Sequence, residues 1–149
     1  MIRKMTTLVA LFSAIWIIPL FLYLLYITGI IGFHHSLFFD DTVSYFIQLL
    51  AIVLSISTIY FCLNIFKFKF VIDSITENPT KSLQKYINWN TLRYVWYILI
   101  IIINLLVYDT TDTGNTYLAL VGALLLSACF CFPSENEYNY ITTTKEKNN

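Results

Sequence analysis

Four long blocks of apolar residues, separated by short segments that hold most of the charge, constrain this 149-residue chain more than any other feature. They run from about Leu8 to Phe33, Val43 to Phe66, Leu92 to Tyr108 and Tyr117 to Phe132. A helix rises about 1.5 Å per residue, so about 20 apolar residues cross a hydrocarbon layer about 30 Å thick. The first two blocks are long enough to span with some tilt, and the fourth, being the shortest, is expected to stand closer to upright. None alternates with period two, which excludes the strands of a membrane barrel. Charged residues make up 12% of the chain and hydrophobic ones 58%. A soluble domain carries about twice that share of charge, so there is too little polar surface here to hold such blocks in water. Arg3 and Lys4 precede the first block as they would in a signal peptide. The apolar run is longer than a signal core of ~7–15 residues and no small-x-small cleavage site follows it, so a retained span is expected.

The basic residues give the orientation. Arg3 and Lys4 precede the first block, Lys67, Lys69, Lys81, Lys85 and Arg93 lie in or beside the segment between blocks two and three, and Lys145 and Lys147 follow block four. Those are all nine Lys and Arg residues, and four spans put every one on the same side. The other two connections, His34 to Thr42 and Asp109 to Thr116, hold acids but no Lys or Arg. By the positive-inside rule both ends face the cytoplasm, in a plasma or inner membrane. The expected fold is therefore an all-α membrane protein: a four-helix transmembrane bundle of two hairpins, N-in and C-in. With the formal charge balanced at +0, no basic surface argues for nucleic acid.

Aromatic residues fit that layout. Phe66, Phe68, Phe70, Trp89, Tyr94, Phe130 and Phe132 fall near the inner boundary, and Phe38, Phe39, Tyr108 and Tyr117 near the outer one. Trp16 lies deeper, one turn before Pro19, which predicts a kink, and is expected to face a neighbouring helix. In the 67–91 connection, Asn78-Pro79-Thr80 reads as a helix stop and a new start. Span two is expected to run on to about Ile75, and Leu83, Tyr86, Ile87 and Asn90 to share one face of a short interfacial lead into span three. The transmembrane domain then covers residues 1–132, and the polar 133–149 segment is expected to be a flexible cytoplasmic tail.

Helix association in lipid relies on small residues and interhelical hydrogen bonds. Ser44, Gln48, Ala51, Ser55, Thr58 and Cys62 recur at four- and three-residue steps along one face of span two. Ala119, Ala123, Ser127 and Cys131 recur at four-residue steps in span four. These stripes predict a bundle built around spans two and four, with span three, where Asn104 is the polar residue, turned more toward lipid. The span-two stripe also admits a pathway for a small solute. The chain is similar in size and span number to the four-span small multidrug transporters, but it lacks the intramembrane Glu that they carry in the first helix. That departure argues against drug export by their mechanism.

Two constellations carry potential chemistry. Cys62, Cys129 and Cys131 lie at similar depth, yet a Cys-x-Cys spacing with no outward Cys differs from four-span disulfide-forming enzymes, and small apolar packing is the simpler role. His34, His35, Asp40 and Asp41 in the first outer loop, with Asp109 and Asp112 in the second, form a possible divalent-metal set, although the spacing matches no established signature and the residue types are also those of solvated turns. No phosphate-binding loop, nucleophile elbow or His-Glu-x-x-His helix is present. The leading expectation is a non-enzymatic accessory or scaffold protein without a cofactor, its partners being membrane lipid and another membrane protein or further copies of itself. A homo-oligomeric transporter or channel, and an outer-surface metal or signal sensor, are the alternatives.

Overall fold

The computed structural model describes residues 2–30, 40–110 and 115–147. Among them every regular element is helical: α1 (Ile2–Ile27), α2 (Asp41–Asn64), α3 (Lys69–Thr76), α4 (Ser82–Thr110), α5 (Thr116–Cys129) and α6 (Glu135–Lys147), with a 3-10 turn at Ile65–Lys67. Two helical segments, Asp41–Lys67 and Ser82–Tyr108, are long and apolar enough to cross a membrane. Trp16–Ile27 and Thr116–Cys129 are shorter apolar stretches.

The hub of the bundle is α4. Tyr94, Tyr97, Ile100, Ile101, Asn104 and Leu105 recur at helical spacing on its buried side, and Tyr97, Ile100, Ile101 and Leu105 cluster with Leu118, Val121, Leu124, Leu125 and Ala128 of α5. This corrects the expectation of a core built on spans two and four: 39% of the apolar stretch of α4 is buried, against 22% for α2. The physical reason is side-chain volume. Tyrosines and isoleucines on α4 fill the space between helices, whereas the small residues of α2 only permit close approach.

Polarity runs inside out. The buried residues of α2 are Ser44, Ala51, Ser55, Thr58 and Cys62, all small and mostly polar. Outward stand Phe46, Leu50, Ile56 and Tyr60, each at least 60% exposed, joined by Ile17, Ile18 and Phe21 of α1 and Leu126 of α5. In water these large apolar side chains would stand exposed on several helices at once.

Helix α1 leans on the hub through rings. Phe12 stacks on Tyr94 with centroids 4.3 Å apart, and Trp16 meets Tyr94 and Tyr97 at 6.1 and 6.4 Å. Tyr23 reaches α5 at Gly122, where a Cβ would stand 2.9 Å from its hydroxyl oxygen. A side chain there would have to displace the end of the Tyr23 ring. Pro19 is buried within α1.

Three further expectations change. Helix α2 does not continue to Ile75. Phe68 adopts an extended conformation (φ −72°, ψ 127°), and α3 starts afresh. A straight continuation would carry Val71 and Ile75 away from the protein; the break folds them back to complete burial beside Tyr86 and Ile141. The lead into span three and the span itself are one unbroken helix, α4. Residues 135–147, expected as a flexible tail, form α6, because Ser134 caps its first turn by accepting the Glu137 N–H at 3.1 Å and Ile141 is fully buried.

The span-four stripe is also only partly a packing face. Cys131 is buried and Ser127 half-buried, but Ala119 and Ala123 are exposed. A four-residue step overshoots a 3.6-residue turn by about 40°, so the stripe winds off the contact face along the helix. Ala128→Leu should therefore lower unfolding stability in detergent by roughly 1–3 kcal/mol through overpacking, and Ala123→Leu by less than about 0.5 kcal/mol. Chemical unfolding of the two purified variants checks this; equal losses would overturn the assignment.

Candidate functional site

The most polar buried locus lies where α4 passes the start of α6. Arg93 is 2% exposed, the largest fully buried side chain among the described residues. It sits there because α4 continues upstream of the apolar block and the α6 segment folds over its flank. Its Nη2 donates to Asn90 Oδ1 at 2.6 Å and to the Cys131 carbonyl. Its Nη1 lies 3.5 Å from Glu137 Oε1. The Phe66 and Tyr94 rings lie 4.9 and 5.8 Å from the guanidinium carbon, within cation–π range. Its Nε has no acceptor.

The surroundings are built to receive that charge. The chain turns at Phe130 and Cys131 just past the end of α5, leaving the Cys131 carbonyl without a helical partner. The guanidinium and the Tyr94 hydroxyl, 2.7 Å away, both donate to it. Glu137 accepts a second bond from the Tyr86 hydroxyl at 2.7 Å, and Tyr138 donates to Ser82 Oγ at 3.2 Å. Around these bonds lie Ile65, Phe66, Val71, Ile75, Tyr86 and Ile141, a second apolar cluster joining α3, α4 and α6. Chemically the arrangement is a clamp: a permanent cation, one carboxylate and neutral oxygens, with no activated nucleophile or base among them.

The span-two stripe comes together as a set of interhelical bonds. Gln48, half-buried, donates to Thr116 Oγ1 of α5 at 3.1 Å. Ser55 accepts from Asn104 Nδ2 at 3.1 Å, and Thr58 accepts from Trp96 Nε1 at 3.2 Å. Ser44 and Ala51 are buried, and Cys62 Sγ lies 3.9 Å from the Arg93 carbonyl. On the α5 side Ser127 pairs with the Tyr97 hydroxyl at 3.1 Å. The three cysteines are free thiols, with Cys62 and Cys131 buried and Cys129 exposed.

Of the metal candidates, His34, His35 and Asp112 lie outside the described residues. Asp40 and Asp41 are exposed at the start of α2, and Asp109 belongs to the last turn of α4. Sequence reasoning missed the clamp because Arg93 counted only toward orientation and Glu137 only toward a disordered tail. The signal was present: Ser134-Glu135-Asn136-Glu137 has the Ser-x-x-Glu spacing of a helix start, and Tyr138 and Ile141 follow on one face.

No protein-family model matches the chain, and no curated protein or solved structure is significantly similar to it.

Removing one partner of a buried pair costs about 3–5 kcal/mol when it strands a charge. Glu137→Ala leaves Arg93 buried without its carboxylate and should release α6, seen as faster protease cleavage between residues 135 and 147 in mild detergent. The double variant Arg93→Met/Glu137→Leu removes both charges and should restore most of the protection. Cleavage that is unchanged in Glu137→Ala would show that the pair does not hold α6.

Proposed function

We propose that this chain is a four-span integral membrane protein with both termini in the cytoplasm, acting as a non-enzymatic accessory or scaffold for other membrane proteins in the plasma or inner membrane. Helices α1, α2, α4 and α5 are the spans, and α3, the first turns of α4, and α6 form a cytoplasmic cap. The observation that carries the reading is the inverted polarity: hydroxyl and amide groups bond to each other inside the bundle while large apolar side chains face outward. Lipid, lacking hydrogen-bonding groups, favours that arrangement and water opposes it. The basic residues support the orientation, since Lys67, Lys69, Lys81 and Lys85 all belong to the cap end.

The scaffold reading is favoured over a solute pathway because Gln48, Ser55 and Thr58 of α2 already have partners on α4 and α5. A conducting or transporting face needs polar groups turned toward water. The surface left for a partner is the outside of the bundle, where Ala119 and Ala123 of α5 allow another helix to come close.

In a variant without native cysteines, single cysteines at positions 48, 55 and 58 should resist a membrane-impermeant thiol reagent on intact cells. Cysteines added at either terminus should react only after permeabilisation. Labelling of all three stripe positions in intact cells would favour a water-filled route and a homo-oligomeric transporter or channel, and labelling of either terminus would overturn the orientation.

A further inference from the structure

A groove of about 470 Å³ opens on the outer side of the bundle between α2 and α4, lined by Leu54, Ser57, Thr58, Phe61, Leu92, Arg93 and Trp96. Its size lies within the roughly 300–1,000 Å³ of small-molecule sites. The groove exists because Ser57 and Thr58 are small, while Phe61 and Trp96 on either side are large; the Trp96–Thr58 hydrogen bond ties the two helices beneath it. By helical rise Phe61 and Leu54 stand about 5 and 15 Å from the end of α2 at Asn64, which in the reading above is the cytoplasmic half of the bilayer.

What continues from its cytoplasmic mouth decides the occupant. Phe61 packs on Phe68 at 5.8 Å, Phe68 on Phe70 at 5.9 Å, and Phe70 on Trp89 at 5.7 Å, a ladder of rings of the kind found at headgroup level. Lys67 and Lys69 flank Phe68 in the chain; both are exposed, and neither joins an ion pair among the described residues. Against these two cations the segment Lys67–Thr76 carries one acid, Asp73. Arg93, paired with Glu137, lies buried behind the groove. A groove with apolar walls, a ladder of aromatic rings leading from Phe61 and two exposed lysines flanking Phe68 in the chain matches one ligand chemistry: a hydrocarbon chain joined to an anionic head.

We infer that this groove holds an acyl chain of an anionic phospholipid from the cytoplasmic leaflet, with its phosphate at Lys67 and Lys69. The inference rests on the membrane-spanning reading. Near an anionic lipid headgroup each lysine is worth about 1 kcal/mol, or roughly fivefold in affinity.

The test uses the full chain with Trp16→Phe and Trp89→Phe, so that Trp96 is the remaining tryptophan, reconstituted in vesicles of brominated phosphatidylglycerol or brominated phosphatidylcholine mixed with the unbrominated lipid. Quenching of Trp96 should report several-fold preference for phosphatidylglycerol. Lys67→Ala/Lys69→Ala should bring that preference down to parity while leaving quenching by phosphatidylcholine in place. Ser57→Phe, at an exposed position, should fill the groove and reduce quenching by both lipids. Equal quenching by the two lipids in the parent chain, a preference that survives loss of both lysines, or quenching unaffected by Ser57→Phe would overturn the site. Extraction of cell membranes with alkaline carbonate separates the two readings. A chain released by carbonate sinks the membrane-spanning reading and the site with it, whereas a retained chain without lipid preference sinks the site alone.

Discussion

Arg93 is a guanidinium withdrawn from water, and the cap end of the bundle is arranged around that fact. An isolated ion in such a place costs several kcal/mol even after relaxation. Four separate pieces of chain answer the cost: Asn90 one turn back on α4, the Cys131 carbonyl past α5, the Phe66 ring after α2, and Glu137 on α6. None of these groups neighbours another in sequence except Asn90 and Arg93. The arginine therefore sets the relative positions of α2, α4, α5 and α6 at one point, as a directional contact that apolar packing alone does not supply.

Away from that point the bundle is held by weaker and more distributed means. Interhelical side-chain hydrogen bonds measured in a transmembrane bundle average only about 0.6 kcal/mol each. Ser55 to Asn104, Thr58 to Trp96 and Gln48 to Thr116 are spread along α2, so they fix its rotation and height against α4 and α5 rather than supplying most of the binding. Aromatic contacts from Phe12, Trp16, Tyr23 and Tyr26 hold α1.

How much of this could be read in the sequence depended on whether the signal was local. Helix content and the inward face of α2 were legible, since a three- and four-residue recurrence of Ser, Thr and Cys in an apolar block has one geometric meaning. Two helices long and apolar enough to cross a membrane follow from composition alone. Ala119 and Ala123 stand exposed because small residues at four-residue steps permit close packing without requiring it, and the bulkier Tyr117, Leu118, Val121 and Leu124 had more area to bury. The central place of α4 was hidden because an almost uniformly apolar helix has no face that sequence periodicity can pick out. The clamp was hidden for a different reason. Arg93 and Glu137 are 44 residues apart in a chain read alone, and what joins them is the fold-back of the segment after Phe132. The capping residues of α6 were visible, but its docking depended on Val71 and Ile75 being turned toward it by the break at Phe68.

The order in which these groups are made adds a consequence. A ribosome delivers the chain from the N-terminus, so Arg93 and its neutral partners exist before Glu137 does. Until the segment after α5 emerges, the cation has ring faces and amide oxygens but no countercharge, and the α3–α4 surface that receives Ile141 lies bare. The cap can thus close only after α6 has been synthesised. A chain interrupted before α6 would keep the bundle's apolar helices yet hold an uncompensated charge beside an open apolar patch.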